Sequence, residues 1–213
     1  MKCPHCAFVP DFCICSAITP LSCQPNITIF RHYKESYRVS NSARLIKLCI
    51  QDSTIFDYGF RDQFLPEIDL EGAVLLFPPT EDSEVYTSTA PPKKIIIVDG
   101  TWKQAHKIRR RVKGLKTLPH LAIQSTMDLA RIRKPYFAGG MSTIEACLEA
   151  LALYNSPESI AHLQEYYTIW LNTMRDLTGI RAPLRAGTSF KEARVEQDII
   201  DGKYNSKPIP SQK

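Results

Sequence analysis

Two periods organise the apolar positions of this 213-residue chain. Residues 26–30 (NITIF), 73–77 (AVLLF) and 95–98 (IIIV) are short, dense apolar runs rich in β-branched side chains. Runs of this kind suit strands buried on both faces, as in a parallel sheet. Residues 119–124 (PHLAIQ) read as a further short strand, with His120 at its start in a structural role. Between and beyond these runs the spacing changes to three and four. Leu45, Leu48 and Cys49 form one such face, and Trp102, Ala105, Ile108 and Val112 a second, nearer the core. The longest is Ile160, Leu163, Tyr167, Trp170, Leu171, Met174 and Leu177, a helix over residues 157–177. Ser156 caps it, Pro157 suits its first turn, and Gly179 ends it. Strand runs alternating with helical stretches predict an α/β fold with a mostly parallel sheet flanked by helices. Pro78-Pro79 takes the chain out of the sheet, and residues 80–92 read as a surface loop. After about Ala182 the chain turns rich in Pro, Lys, Gly and Ser. The division expected is a cysteine-bearing segment (1–22), a main domain (23–182) and a mobile basic tail (183–213).

Composition places the chain among ordinary globular proteins, with 44% hydrophobic and 23% charged residues. No apolar run approaches the ~18 residues that a membrane span requires. The opening Met1-Lys2-Cys3-Pro4 lacks the apolar core of a signal peptide. Both features predict a cytoplasmic protein without a membrane partner. In that reducing compartment seven cysteines suit a metal or free thiols better than disulfides. The net charge of +5 is concentrated: residues 93–134 hold twelve Lys or Arg against Asp99 and Asp128. Such an excess suits a polyanion such as RNA, although a solvated basic face would look the same. Lys103, Lys107 and Arg110 share one helix face.

Cys3-x2-Cys6 and Cys13-x-Cys15 bring four thiols into thirteen residues, enough to wrap one tetrahedral zinc ion. Four unligated or redox-active thiols are the alternative. His5 is a lower-ranked substitute ligand, and Cys49 and Cys147 fall in apolar helical patterns. Past the first strand, His32, Glu35 and Arg38 lie just before a helix that Ser40 or Asn41 can cap. A helix start beside an Arg is a ready anion site. The 95–98 run ends at Asp99, which puts an acid at the C-terminal end of a buried strand, where open α/β sheets bind ligands. The plainer reading makes Asp99 a helix cap and Trp102 a core residue. Ser142-x-x-Glu145 is by itself a capping box, preceded by a basic Pro-aromatic-Gly-Gly loop with Arg131, Arg133 and Lys134 ahead of it.

Several of these blocks together resemble the DTW-domain family. Asp99-Gly100-Thr101-Trp102 matches its D-x-T-W signature. His32, Glu35, Arg38, Asn41 and Ser42 are similar to its H-x-x-E-x-x-R-x-x-N-[ST] block. Phe77-Pro78 resembles its strand-end turn, and Ser142, Thr143, Glu145 and Ala146 its S-T-x-E-A block. The N-terminal cysteines are similar to the family's C-x2-C…C-x-C cluster. The resemblance covers residues 3–155. It implies a SPOUT-like fold with a C-terminal knot, preceded by a small zinc-binding segment. It implies a monomer that takes S-adenosylmethionine as cofactor and tRNA as substrate. The reaction implied is transfer of the 3-amino-3-carboxypropyl group to N3 of a uridine, leaving methylthioadenosine.

These residues suit that chemistry. The donor's sulfonium is already activated, so the enzyme's task is in-line placement and removal of the N3 proton. Asp99 is the candidate base, with Thr101 and Trp102 beside it; Trp102 either stacks on a base or packs under the turn. His32, Arg38, Asn41, Ser42, Phe77, Pro78, Ser142, Thr143 and Glu145 are the expected donor-binding residues, Arg38 holding its carboxylate. Lys103, Lys107, Arg110, Arg131 and Arg133 are expected on RNA. Two other classes fit the same residues. One is a different S-adenosylmethionine-dependent enzyme, an RNA methyltransferase or an rRNA aminocarboxypropyltransferase. The other is a zinc-containing RNA-binding module without catalysis.

Overall fold

The computed structural model describes residues 1–60, 66–81, 83–134, 139–201 and 203. Residues 135–138 of the Pro-aromatic-Gly-Gly loop, and the tail from 204 on, lie outside the described residues. Among those described, five strands form one sheet: β1 (Asn26–His32), β2 (Ser53–Tyr58), β3 (Ala73–Leu76), β4 (Lys94–Asp99) and β5 (His120–Leu121). Their order is β2-β1-β4-β3-β5, and every pairing is parallel. The fold is therefore the expected α/β class, built around a parallel sheet. All strand C-termini lie at one end, and in the β1–β4 register Arg31 sits beside Asp99.

Side-chain alternation along the strands sorts the core into two layers. Ile27 and Ile29 of β1, Val74 and Leu76 of β3, and Ile95 and Ile97 of β4 point to one face. There they meet α2 (Ser42–Cys49), α4 (Thr143–Ala152) and α5 (Pro157–Leu177). Phe30, Leu75 and Ile96 point to the other face, against Ala105 and Ile108 of α3 (Trp102–Arg111). The apolar runs were dense because both faces are covered.

Strand β2 has no counterpart in the sequence reading. It pairs only with β1, and of its residues only Ser53 is fully buried, so burial imposes little hydrophobic signal on it. Conversely, β1 runs two residues past the predicted end, and these carry Arg31 and His32. His120 is fully buried at the start of β5, with Nδ1 3.0 Å from the Pro78 carbonyl oxygen, in keeping with a structural role.

Helix α5 has the predicted bounds. Ser156 accepts from the Ser159 amide, Pro157 opens the helix, and Gly179 sits at φ +67 just beyond it. The Gly179 and Ile180 amides return to the carbonyls of Asp176 and Arg175, a Schellman ending that requires a left-handed residue. Trp102 departs from expectation: it is 40% exposed, while Ala105 and Ile108 carry the packing of α3. The tail also departs from it. Within 183–213, α6 (Phe190–Ile200) forms behind a Ser189/Glu192 capping box and buries Phe190, Ala193 and Gln197. Composition missed it because only one face of a single short helix is apolar. The first 22 residues share the main core, through Phe8, Ile14 and Ile18. No helix among the described residues is long and apolar enough to cross a membrane.

Because Phe190 packs into the main core, Phe190→Ala is expected to cost about 3–5 kcal/mol in urea unfolding. A change within about 0.5 kcal/mol, the usual size for surface positions, would show α6 to be an appendage.

Candidate functional site

The C-terminal ends of β1 and β4 carry a connected set of buried polar groups. Asp99, the last residue of β4, is 5% exposed. Its Oδ2 accepts from Nδ2 of Asn41 at 2.7 Å, and its Oδ1 accepts from the Thr143 hydroxyl. Asn41 Oδ1 in turn accepts from Nη1 of Arg31 at 3.2 Å. Arg31 is neutralised by Asp57 of β2 through a bidentate pair, at 2.7 and 3.0 Å. Arg31 therefore reaches Asp99 only through an amide, and its charge is already matched. Burial consequently dominates, raising the Asp99 pKa above the ordinary aspartate range, while the two hydrogen bonds and Arg31 pull the other way.

Local structure explains how each member arrives. Asn41 occupies the N-cap position of α2 but makes no side-chain cap bond; its amide is diverted to Arg31 and Asp99. Asp99 is not the cap of α3 either. Thr101 caps that helix, in a capping box with Gln104. Gly100 lies between them, where an added Cβ would come within 3.0 Å of Gln104 Oε1 and 3.4 Å of His32 Cβ. A side chain there would press on Gln104, which would have to give by a few tenths of an ångström, and would touch His32. Ser142 and Glu145 form the capping box of α4, which sets Thr143 over Asp99.

Two clefts meet above this turn. One, of about 260 Å³, is lined by Asp99, Asn41, Ser42, Glu35, Arg131 and Arg133, among others. The second, of about 340 Å³, runs along the ends of β3 and β5, between Leu76, Phe77, Pro78, Leu121 and Ile123 on one side and residues 139–143 on the other. Gly100, Trp102, Ser142 and Thr143 border both. Trp102 leans edge-on against Phe77, ring centres 5.9 Å apart, with His106 at 6.1 Å, and is 40% exposed.

The structure thus gathers Asp99, Thr101, Trp102, Asn41, Ser42, Phe77, Pro78, Ser142, Thr143 and Glu145 at these clefts. Arg31 and Asp57 were missed by sequence reasoning. The signal for Arg31 was the charged residue directly after the first apolar run; Asp57 had none while β2 went unrecognised. Two expected donor contacts lie elsewhere. Arg38 is half-exposed, 3.5 Å from Glu35, and lines neither cleft. His32 caps the short helix α1 (Tyr33–Ser36), its Nδ1 accepting from the Lys34 amide, and faces a separate groove. Of the expected RNA contacts, Lys103, Lys107 and Arg110 are exposed on α3. Arg131 is instead paired with Glu145 at 2.9 Å, and Arg133 donates to the Ser40 hydroxyl.

The four N-terminal cysteines converge as well. The ligand sulfurs of Cys3, Cys6, Cys13 and Cys15 all lie within 4.8 Å of one another, with Cys3–Cys15 at 3.6 Å and Cys6–Cys13 at 3.7 Å. A tetrahedron with metal–sulfur bonds of about 2.3 Å has sulfur–sulfur edges of about 3.8 Å, so the donor set fits a metal ion. The turn that brings Cys6 back toward Cys3 needs Ala7 in the left-handed region, at φ 64. His5 is not part of this group.

The DTW domain model matches residues 1–175. Two curated relatives, each named tRNA-uridine aminocarboxypropyltransferase 2, are also similar. The one from Macaca fascicularis is 30% identical over 125 residues and the one from Mus musculus 31% over 127. Each match covers 50% of this chain and 40% of the relative, so the similarity spans only part of these relatives. No solved structure matches.

The environment of Asp99 makes a stability prediction. A carboxyl whose pKa is raised by folding stabilises the fold at low pH and loses that contribution as pH climbs from the unfolded to the folded value. Asp99→Asn removes this loss. Its amide still accepts from Asn41 and can donate to Thr143. The variant should therefore match or exceed the wild type in Tm at neutral pH, with the gap narrowing in acid. A large loss of stability at neutral pH would show that the charged form is held more favourably than its burial implies.

Proposed function

The chain belongs to the DTW-domain family, and on that premise we propose that it transfers the 3-amino-3-carboxypropyl group of S-adenosylmethionine to N3 of a uridine in tRNA. The observation that carries the reading is the buried carboxylate of Asp99. It sits at the D-x-T-W turn and lines the smaller of the two adjoining clefts, anchored by Asn41 and Thr143. The names of the two curated relatives support the same reaction.

The cleft of about 340 Å³ suits the donor: its size is that of a small-ligand site. Its walls are apolar on the Leu76, Phe77 and Leu121 side, and carry Gly139, Gly140, Met141, Ser142 and Thr143 on the other. Bound S-adenosylmethionine supplies an activated carbon, since its sulfonium is already a good leaving group. Arg133, in the neighbouring cleft, is better placed than Arg38 to hold a ligand carboxylate, because Arg38 is tied to Glu35 outside it. Asp99 accepts the N3 proton of uridine. Each of its oxygens takes one hydrogen bond from the protein and keeps a lone pair free. Burial gives it more basicity than an ordinary aspartate, as a general base near neutral pH requires. Trp102, exposed at the shared rim, offers an indole face to a base. The reading extends to a SPOUT-like fold with a C-terminal knot, and to a monomer acting in the cytoplasm.

The cysteine cluster is proposed as a structural zinc site. All four positions are filled by protein thiolates, which leaves no open place for chemistry. The segment contains only two short 3-10 turns, so the metal is what holds its shape. Purified protein should contain about one zinc per chain, and Cys13→Ser should lower the metal content and the Tm together. A folded, active protein free of metal would overturn the site.

The reaction is tested by mass spectrometry of nucleosides from tRNA incubated with protein and S-adenosylmethionine. An added aminocarboxypropyl group is the expected product; an added methyl group, or no product, overturns the reading. Asp99→Asn should lower turnover by about 10²–10⁴-fold, with little change in donor or tRNA binding. The wild type should gain activity with pH through an ionisation above the ordinary aspartate range that the variant lacks. Near-wild-type turnover in Asp99→Asn would move the base elsewhere, with Glu35 the next candidate.

A further inference from the structure

A third hollow, of about 990 Å³, lies on the α3 side of the sheet, beyond the turn that carries Asp99. Its lining differs in kind from that of the two clefts. One wall is aromatic. Tyr33 stacks on His32 with ring centres 4.9 Å apart, and Phe60 tilts against Tyr33, also at 4.9 Å. Tyr37 meets Phe60 edge-on at 6.5 Å. Phe60 is 39% exposed, and Tyr37, just outside the hollow, 70%; Lys34 lies over the Tyr33 ring, 6.0 Å from its centre. The facing wall is cationic, with Lys107 and Arg111 on α3 and Lys113 just beyond it. Among the described residues none of these three is ion-paired. Two acids also line the hollow: Asp57, which is already spent on Arg31, and Glu67, which is exposed.

The groove also abuts the Asp99 site. Gln104 lines it and at the same time closes the Thr101 capping box. His32 lines it and lies beside Gly100. Only the Gly100 turn separates the groove from the cleft above Asp99.

We propose that this groove holds the unpaired nucleotides that flank the target base of the RNA substrate, with bases on the Tyr33–Phe60 shelf and phosphates facing Lys107, Arg111 and Lys113. This rests on the reading that the substrate is RNA. An aromatic shelf beside a row of unmatched cations is what a single strand needs, since every base has a π-face and every linkage a charge. A duplex hides its bases from such a shelf, and an acidic peptide would leave the rings unmatched. The strand then runs into the site past Gly100, so the base at its end reaches Asp99.

The test is equilibrium binding of a labelled short single-stranded oligouridylate, read by fluorescence anisotropy over a range of salt, alongside binding of S-adenosylmethionine. Phe60→Ala should weaken oligouridylate binding about tenfold by loss of one stacked base, and Phe60→Trp should restore it. The Lys107→Ala, Arg111→Ala double variant should reduce the salt slope by about 1.4, the value for two single-strand phosphate contacts. Lys116→Ala, an exposed charge outside the groove, should change neither. Donor binding should be unaffected throughout. Equal weakening by Lys116→Ala, no effect of Phe60→Ala, or competition by polyglutamate as strong as by oligouridylate would overturn the proposal. Because the assay reads binding without turnover, it separates the two ideas. A protein that binds oligouridylate in this pattern but modifies no tRNA overturns the reaction alone; a Phe60→Ala protein with wild-type binding and tRNA modification overturns the groove alone.

Discussion

A carboxylate buried at the end of a central strand has to be solvated by the protein itself, and much of the molecule's C-terminal sheet end follows from that need. Asp99 takes one hydrogen bond from the start of α2 and one from the start of α4. Two helices that are far apart in sequence are thereby pinned to one point. The amide of Asn41 has a second function to satisfy, which Arg31 does, and the charge of Arg31 requires Asp57. The chain of partners ends on β2, at the sheet's edge. A buried polar network of this kind is costly when incomplete, so β1, β2, β4, α2 and α4 are held in one relative arrangement by a single acid.

The same end of the sheet is divided rather than open. The Gly100 turn, with Gln104 and His32 packed against it, stands between hollows of different chemistry. On one side are apolar walls facing a glycine-, serine- and threonine-bearing segment, suited to a small ligand. On the other are aromatic rings and unpaired cations, suited to an extended polyanion. A reaction joining a small donor to a large acceptor needs such a division, because each substrate must approach the reacting atoms from its own direction. With no side chain at position 100, Gln104 and His32 pack close against the turn.

The N-terminal segment has a different physical basis. It has too little chain to bury a core of its own, and lends Phe8, Ile14 and Ile18 to the main one. Its four thiols are gathered within the span of one metal ion. Burial of a few apolar side chains sets where the segment lies, and the clustered thiols would let a bound metal ion set its internal shape.

Much was legible in the linear pattern. The β-branched runs ending at Phe30, Phe77 and Val98, the α5 stripe with Ser156 and Gly179, the cysteine spacing and the D-x-T-W turn are local signals, because burial on both faces, helix capping and metal ligation act over a few residues. Other features were not legible. The edge strand β2 and the helix α6 are half-buried, so selection for apolar side chains at them is weak. The diversion of Asn41 from capping to bridging, the replacement of Asp99 by Thr101 as the cap, and the pairing of Arg131 with Glu145 depend on partners brought from distant positions. The sequence by itself determined the strands buried on both faces, the long helix α5 and which acid ends the central strand. Only the tertiary structure decided what that acid touches and how the sheet end is divided, because strand order and helix placement are set by long-range packing that no short window of residues contains.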